Sequence, residues 1–83
     1  MKKMNNEIEV FICEPILQKL KENGKTVVWL AKQVGCDESN LRKTLKNCRY
    51  IHLDLLFRIS VALEEDFFAY YSKQLEIKMN END

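Results

Sequence analysis

Thr26-Val-Val-Trp-Leu-Ala-Lys-Gln-Val-Gly-Cys-Asp-Glu-Ser-Asn-Leu-Arg-Lys-Thr-Leu45 reads as two short helices joined by a sharp turn. Val27, Leu30, Ala31 and Val34 recur at i, i+3, i+4 and i+7, which draws one apolar stripe along a helix. Thr26 stands before that stripe as an N-cap, and its hydroxyl can accept a first-turn N–H. Gly35 follows the stripe and suits the left-handed backbone position that ends a helix, while Asp37 is a good N-cap for the next one. In the second helix Leu41 and Leu45, at i and i+4, turn to one side and leave Ser39, Arg42, Lys43 and Lys46 on the other. Each apolar stripe needs a cover and the turn brings the two helices together, so the segment is a helix-turn-helix with a polar, basic outer face.

The rest of the chain supplies three more helical patterns. Pro15 suits a first helical position, with Glu14 before it, and predicts a helix over 15–22 that buries Ile16, Leu17 and Leu20 and stops at Asn23-Gly24. Further helices are expected over 27–34, 38–45, 53–63 and 67–72. Two segments alternate instead. Residues 7–13, Glu-Ile-Glu-Val-Phe-Ile-Cys, and 75–79, Leu-Glu-Ile-Lys-Met, read as short extended pieces that pair with each other, pair with a second copy, or do not pair. The expected organisation is an N-terminal arm over 1–13, a helix-turn-helix domain over 14–72 and a C-terminal tail over 73–83.

With 83 residues, 46% of them apolar, the chain has enough for one small core. No apolar run approaches the roughly 20 residues that span a bilayer, and the Met1-Lys-Lys start leads into Asn-Asn-Glu, so no membrane partner is expected and the cytoplasm is the expected location. Cys13, Cys36 and Cys48 are odd in number and irregular in spacing, which predicts free thiols in a reducing compartment. No tight Cys pair accompanies Cys48 and His52, so no metal is expected. The single histidine, expected near the start of the fourth helix, has no nucleophile fixed beside it, and the two glycines make no phosphate loop; neither an enzyme nor a cofactor is expected. Formal net charge is zero, but residues 15–50 hold eight Lys and Arg against three Asp and Glu, whereas residues 51–83 hold three against seven. One part of the chain attracts phosphate and the other repels it.

Thr26, Leu30-Ala31, Gly35, Asp37 and Leu41, in this order and spacing, resemble the lambda-repressor-like (XRE, Cro and phage-repressor type) DNA-binding family. Ile51-His-Leu-Asp-Leu-Leu-Phe-Arg-Ile-Ser-Val-Ala-Leu63 is similar to that family's fourth helix, and the likeness covers about sixty residues, 14–72. The resemblance implies an all-α, five-helix domain that binds double-stranded DNA as a transcriptional regulator, with helix 3 in the major groove. It carries Glu38, Ser39, Asn40, Arg42 and Lys43 over as base-contacting positions: Arg42 and Lys43 toward guanine O6 and N7, Asn40 toward adenine or a phosphate, Glu38 toward cytosine N4. Lys25, Thr26, Lys32, Lys46 and Arg49 are the expected phosphate contacts, which position without specifying. The chain departs from the family at Val27, where a glutamine commonly holds a phosphate.

Trp29 points away from the apolar stripe and needs a cover, either the arm over residues 8–13 or else a partner or a DNA-backbone contact. Four aromatics in five residues, Phe67, Phe68, Tyr70 and Tyr71, exceed what one short helix buries on one side. Phe68, Tyr70, Tyr71, Leu75 and Ile77 are therefore the expected interface of a homodimer, as helix 5 is in many members of the family. A repressor, an autoregulator and the antitoxin of a toxin–antitoxin pair share this look, so a toxin or other protein joins DNA and a second copy among the partners to consider. The alternative is a protein–protein adaptor that keeps the fold without binding DNA, which zero net charge, Val27 and Glu38 favour. As an isolated pattern, the outer side of helix 3 is an ordinary solvated helix face.

Overall fold

A computed structural model describes residues 9–46 and 50–81, which form five α-helices: α1 Cys13–Glu22, α2 Val27–Val34, α3 Glu38–Lys46, α4 Leu53–Leu63 and α5 Phe68–Glu81. The all-helical class and the positions of the helices agree with the sequence pattern. Two boundaries do not. Helix α1 begins at Cys13 rather than Pro15, because Ile12 is already helical (φ −63°, ψ −23°) and the Glu14 N–H donates to the Phe11 carbonyl at 3.1 Å. Pro15 therefore lies inside the first turn, where its missing N–H is not needed.

The larger correction concerns the C-terminus. Residues 73–81 are not a separate tail and Leu75–Met79 is not a strand; both continue α5, which runs unbroken to Glu81. From Phe67 to Glu81 no Gly or Pro interrupts the chain, and Lys, Gln, Leu, Glu and Met favour the helix; five alternating residues do not outweigh that. Among the described residues there is no strand, so no terminal ribbon forms there. Of the other alternating segment, Glu7 and Ile8 lie outside the described residues, Glu9–Phe11 have no regular structure, and Ile12 and Cys13 lead into α1. Glu9 instead clips the chain to α5: its N–H donates to Gln74 Oε1 at 3.0 Å and its carboxylate meets Lys78 Nζ at 3.4 Å.

One core joins all five helices. Ile12, Cys13, Ile16 and Leu20 meet Leu30, Ala31 and Val34 of α2, Leu41 and Leu45 of α3, Leu56, Ile59 and Leu63 of α4, and Phe67 ahead of α5. Among the described residues no polar or charged side chain is buried there. The Cys13 thiol donates to the Thr44 carbonyl at 3.5 Å, which pins α1 to α3. Leu17, expected in the core, is 42% exposed, since on a helix it points about a quarter-turn away from Ile16. A short turn, 64–67, sends the chain from α4 into α5. Glu64 there adopts a left-handed conformation (φ 53°), the Phe67 N–H donates to Ser60 Oγ at 3.4 Å, and the Phe68 N–H donates to Asp66 Oδ1 at 3.0 Å.

Candidate nucleic-acid interface

The α2–turn–α3 unit is fixed at each joint by the residue type its backbone requires. Thr26 is extended (φ −112°, ψ 166°) and its Oγ1 accepts from the Trp29 N–H at 3.1 Å, which caps α2. Gly35 ends α2 at φ 73°, and the Cys36 N–H reaches back to the Ala31 carbonyl at 3.0 Å, closing the last turn. Asp37 Oδ2 then accepts from the Asn40 N–H at 3.2 Å and starts α3. Burial of Leu41 and Leu45 sets the rotation of α3, and with it the outer face: Ser39, Asn40, Arg42, Lys43 and Lys46 are exposed, and Glu38 is half-buried.

On that face the charges are unevenly paired. Arg42 Nε donates to Glu38 Oε2 at 2.7 Å, one turn earlier on the same helix. A guanidinium gripped at Nε still has its two Nη groups to offer as a fork. Lys32 and Lys43 carry no ion pair among the described residues, and both are exposed. Lys25 Nζ lies 5.1 Å from the centroid of the Trp29 ring, a cation–π contact beside the α2 cap. Trp29 itself is half-buried against the core, and the Lys25 contact is not among the covers the sequence suggested, the arm over residues 8–13 or a partner; the i, i+4 spacing of cation and indole was the available signal. Arg49 lies outside the described residues, so no position is given for the fifth expected phosphate contact.

Next to the end of α3 opens a cleft of about 370 Å³ lined by Lys43, Thr44, Tyr50, Ile51 and His52. His52 stands at the N-cap of α4, where it was expected, and its side chain makes no capping hydrogen bond. Behind the unit, Arg58 is a residue that sequence reasoning passed over. Its Nη1 donates to the Val34 carbonyl at 3.3 Å and its Nη2 pairs with Asp54 at 3.1 Å, so α4 satisfies the carbonyl end of α2 and holds the helix-turn-helix from the rear.

Cys36 sits in the turn itself. Burial first, and then the neighbouring Asp37 carboxylate, push its thiol above the ordinary range, with Arg58 pulling the other way. Among the described residues no group of three or more His, Cys, Asp or Glu side chains is placed to hold a metal ion, and Cys48 lies outside them. No described helix is long and apolar enough to cross a membrane.

No family model, curated protein or solved structure matches this chain at a significant level.

The residues expected at a dimer interface do not share one face. Phe68 and Tyr71 are half-buried and pack on the core, and Tyr71's phenol is pushed above its usual value, first by that burial. Tyr70 and Ile77 lie on one flank of α5, seven residues apart, whereas Leu75 projects from the other. Tyr70 leans inward enough to stack on Phe67, with ring centroids 6.3 Å apart.

Proposed function

We propose that this chain is a sequence-specific double-stranded DNA-binding protein of the lambda-repressor-like type, a transcriptional regulator that reads the major groove with α3. One observation carries the reading: Asp37 caps α3 directly after the Gly35 turn while Leu41 and Leu45 anchor it, so Ser39, Asn40, Arg42 and Lys43 project together from one exposed face. In this reading Arg42 and Lys43 donate to guanine edges, Asn40 and Ser39 read or hold neighbouring groups, and Glu38 orients Arg42. Lys25, Thr26, Lys32 and Lys46 meet phosphates on either side, and the first N–H groups of α2 add an anion-favouring end where Val27 offers no side-chain donor.

Selection of random duplexes by the purified chain, followed by sequencing, tests this directly. The expected result is an enriched motif, bound with an affinity that falls as salt rises. No shift of selected or random duplex at about 50 mM salt would leave the adaptor reading in its place. That second reading draws on the Glu38 carboxylate beside Arg42 and on an apolar stripe along α4.

A further inference from the structure

Leu53, Phe57 and Val61 follow one another at i, i+4 and i+8 along α4, and they are 71%, 61% and 64% exposed. The core residues of the same helix, Leu56, Ile59 and Leu63, are all inside, so these three form a second apolar stripe on a different side of α4. A helix that is apolar on two sides has two things to cover. Among the described residues only the first of them is covered.

We propose that the Leu53/Phe57/Val61 stripe is the contact between two copies of this chain, the two α4 helices crossing antiparallel about a two-fold axis at Phe57. Such an axis puts Phe57 against its own counterpart and each Leu53 against Val61 of the second copy, so the stripe is complementary to itself. The rim agrees. Asp54 and Arg58 share one flank of the stripe and carry opposite charge. An antiparallel pair sets each flank against the same flank of the other copy, which brings the Asp54 of one copy near the Arg58 of the other. Because the existing Asp54–Arg58 pair is exposed, sharing those charges across an interface costs little. A partner of strong single-sign charge would find no matching field here.

Size points the same way. Three large apolar side chains in one row, each more than half exposed, approach the few hundred Å² that mark a functional patch on a small protein. A standard interface takes about 800 Å² from each side, so a stripe of three side chains with a polar rim suits the weak, concentration-dependent end of self-association. None of Ser39, Asn40, Arg42 or Lys43 belongs to the stripe. On α5 the exposed apolar residues are divided, Leu75 and Met79 on one flank and Ile77 on the other, so neither flank makes a row of three.

The test is sedimentation equilibrium of the full chain without DNA, so its outcome is independent of whether the protein binds DNA. Wild type, Phe57→Glu, Val61→Lys and Leu75→Glu are compared, with circular dichroism and thermal melts as a check on folding. The stripe is exposed, so the first two variants should melt like wild type. Expected are a concentration-dependent dimer for wild type and Leu75→Glu, and a dissociation constant raised at least roughly tenfold by Phe57→Glu and by Val61→Lys. A wild-type chain that stays monomeric at several hundred micromolar hands the stripe to a different protein and overturns the proposal. Loss of the dimer in Leu75→Glu with Phe57→Glu unaffected overturns it too, in favour of α5.

Discussion

Replacing Glu38 by Gln separates two roles that this side chain could have on DNA. Its Oε2 accepts from Arg42 Nε at 2.7 Å, and both side chains are about half exposed. An exposed i, i+4 pair of this kind contributes about 0.3–0.5 kcal/mol, so the variant should lose only about 1–4 °C in Tm. Gln keeps an acceptor oxygen for Arg42 while removing the charge. A carboxylate about 7 Å from a phosphate costs roughly 0.6 kcal/mol in a water-like dielectric, so its removal should tighten binding about threefold. That gain should be the same for every duplex and should fade as salt shortens the Debye length below about 8 Å. Fluorescence anisotropy on a selected duplex and its single-base variants, at low and high salt, reads both quantities. A loss of roughly 1–3 kcal/mol confined to one C·G pair would refute this reasoning, since Glu38 would then be reading cytosine N4 rather than holding Arg42.

Lys25→Ala should weaken binding to all sequences alike and reduce the slope of log K against log salt by about 0.9, with a change in Trp29 fluorescence as the cation leaves the ring; a base-specific loss would move Lys25 into the groove. Gly35→Ala should cost about 1 kcal/mol by urea unfolding, because φ is 73° while the added Cβ meets no atom within 4 Å, so only the backbone term is left. Glu64→Gly, at φ 53°, should stabilise by up to about 1 kcal/mol for the same reason; equal losses from both substitutions would show that neither turn is held in the left-handed conformation. Cys36 holds its proton more tightly folded than unfolded, so its contribution is complete below the ordinary thiol value of 9.0 and is lost as pH rises through the raised folded value. Cys36→Ser should flatten that alkaline decline in urea melts carried to about pH 11, and an unchanged decline would assign it to Tyr71 and other groups.

The helix-turn-helix was legible because its information is local. Thr26, Gly35 and Asp37 each meet a backbone requirement at their own position, and the Val27 to Val34 and Leu41/Leu45 stripes give the burial of α2 and α3 almost residue for residue. Leu75–Met79 misled because a five-residue alternation fits a strand and also fits a helix whose side chains fall on two flanks. Choosing between them needed the length of uninterrupted helix-forming sequence on either side. Arg58 on the Val34 carbonyl and Glu9 on α5 were not legible, since each joins residues that only the tertiary fold brings together. The exposure of Leu53, Phe57 and Val61 was hidden for a related reason. A helix apolar on two sides reads as a well-buried helix until its neighbours are known.

Zero net charge and a DNA-binding reading are compatible once the charges are followed to their partners. Lys19 meets Glu65 at 3.3 Å, Lys78 meets Glu9 and Glu81, and Arg58 meets Asp54, so three of the seven acids of residues 51–83 are set against cations of α1, α4 and α5. Among the described residues Lys32 and Lys43 have no such partner, Lys25 faces an indole rather than a carboxylate, and Glu38 engages Arg42 at Nε. The positive surplus of residues 15–50 is thus concentrated on α2 and α3, the two helices that the Gly35 turn holds together. A phosphate backbone responds to charge within about one Debye length, roughly 8 Å at physiological salt, and not to the sum over the molecule. A neutral chain with this distribution has a preferred side to present to a polyanion, and in the proposed reading it is the side from which Arg42 and Lys43 project.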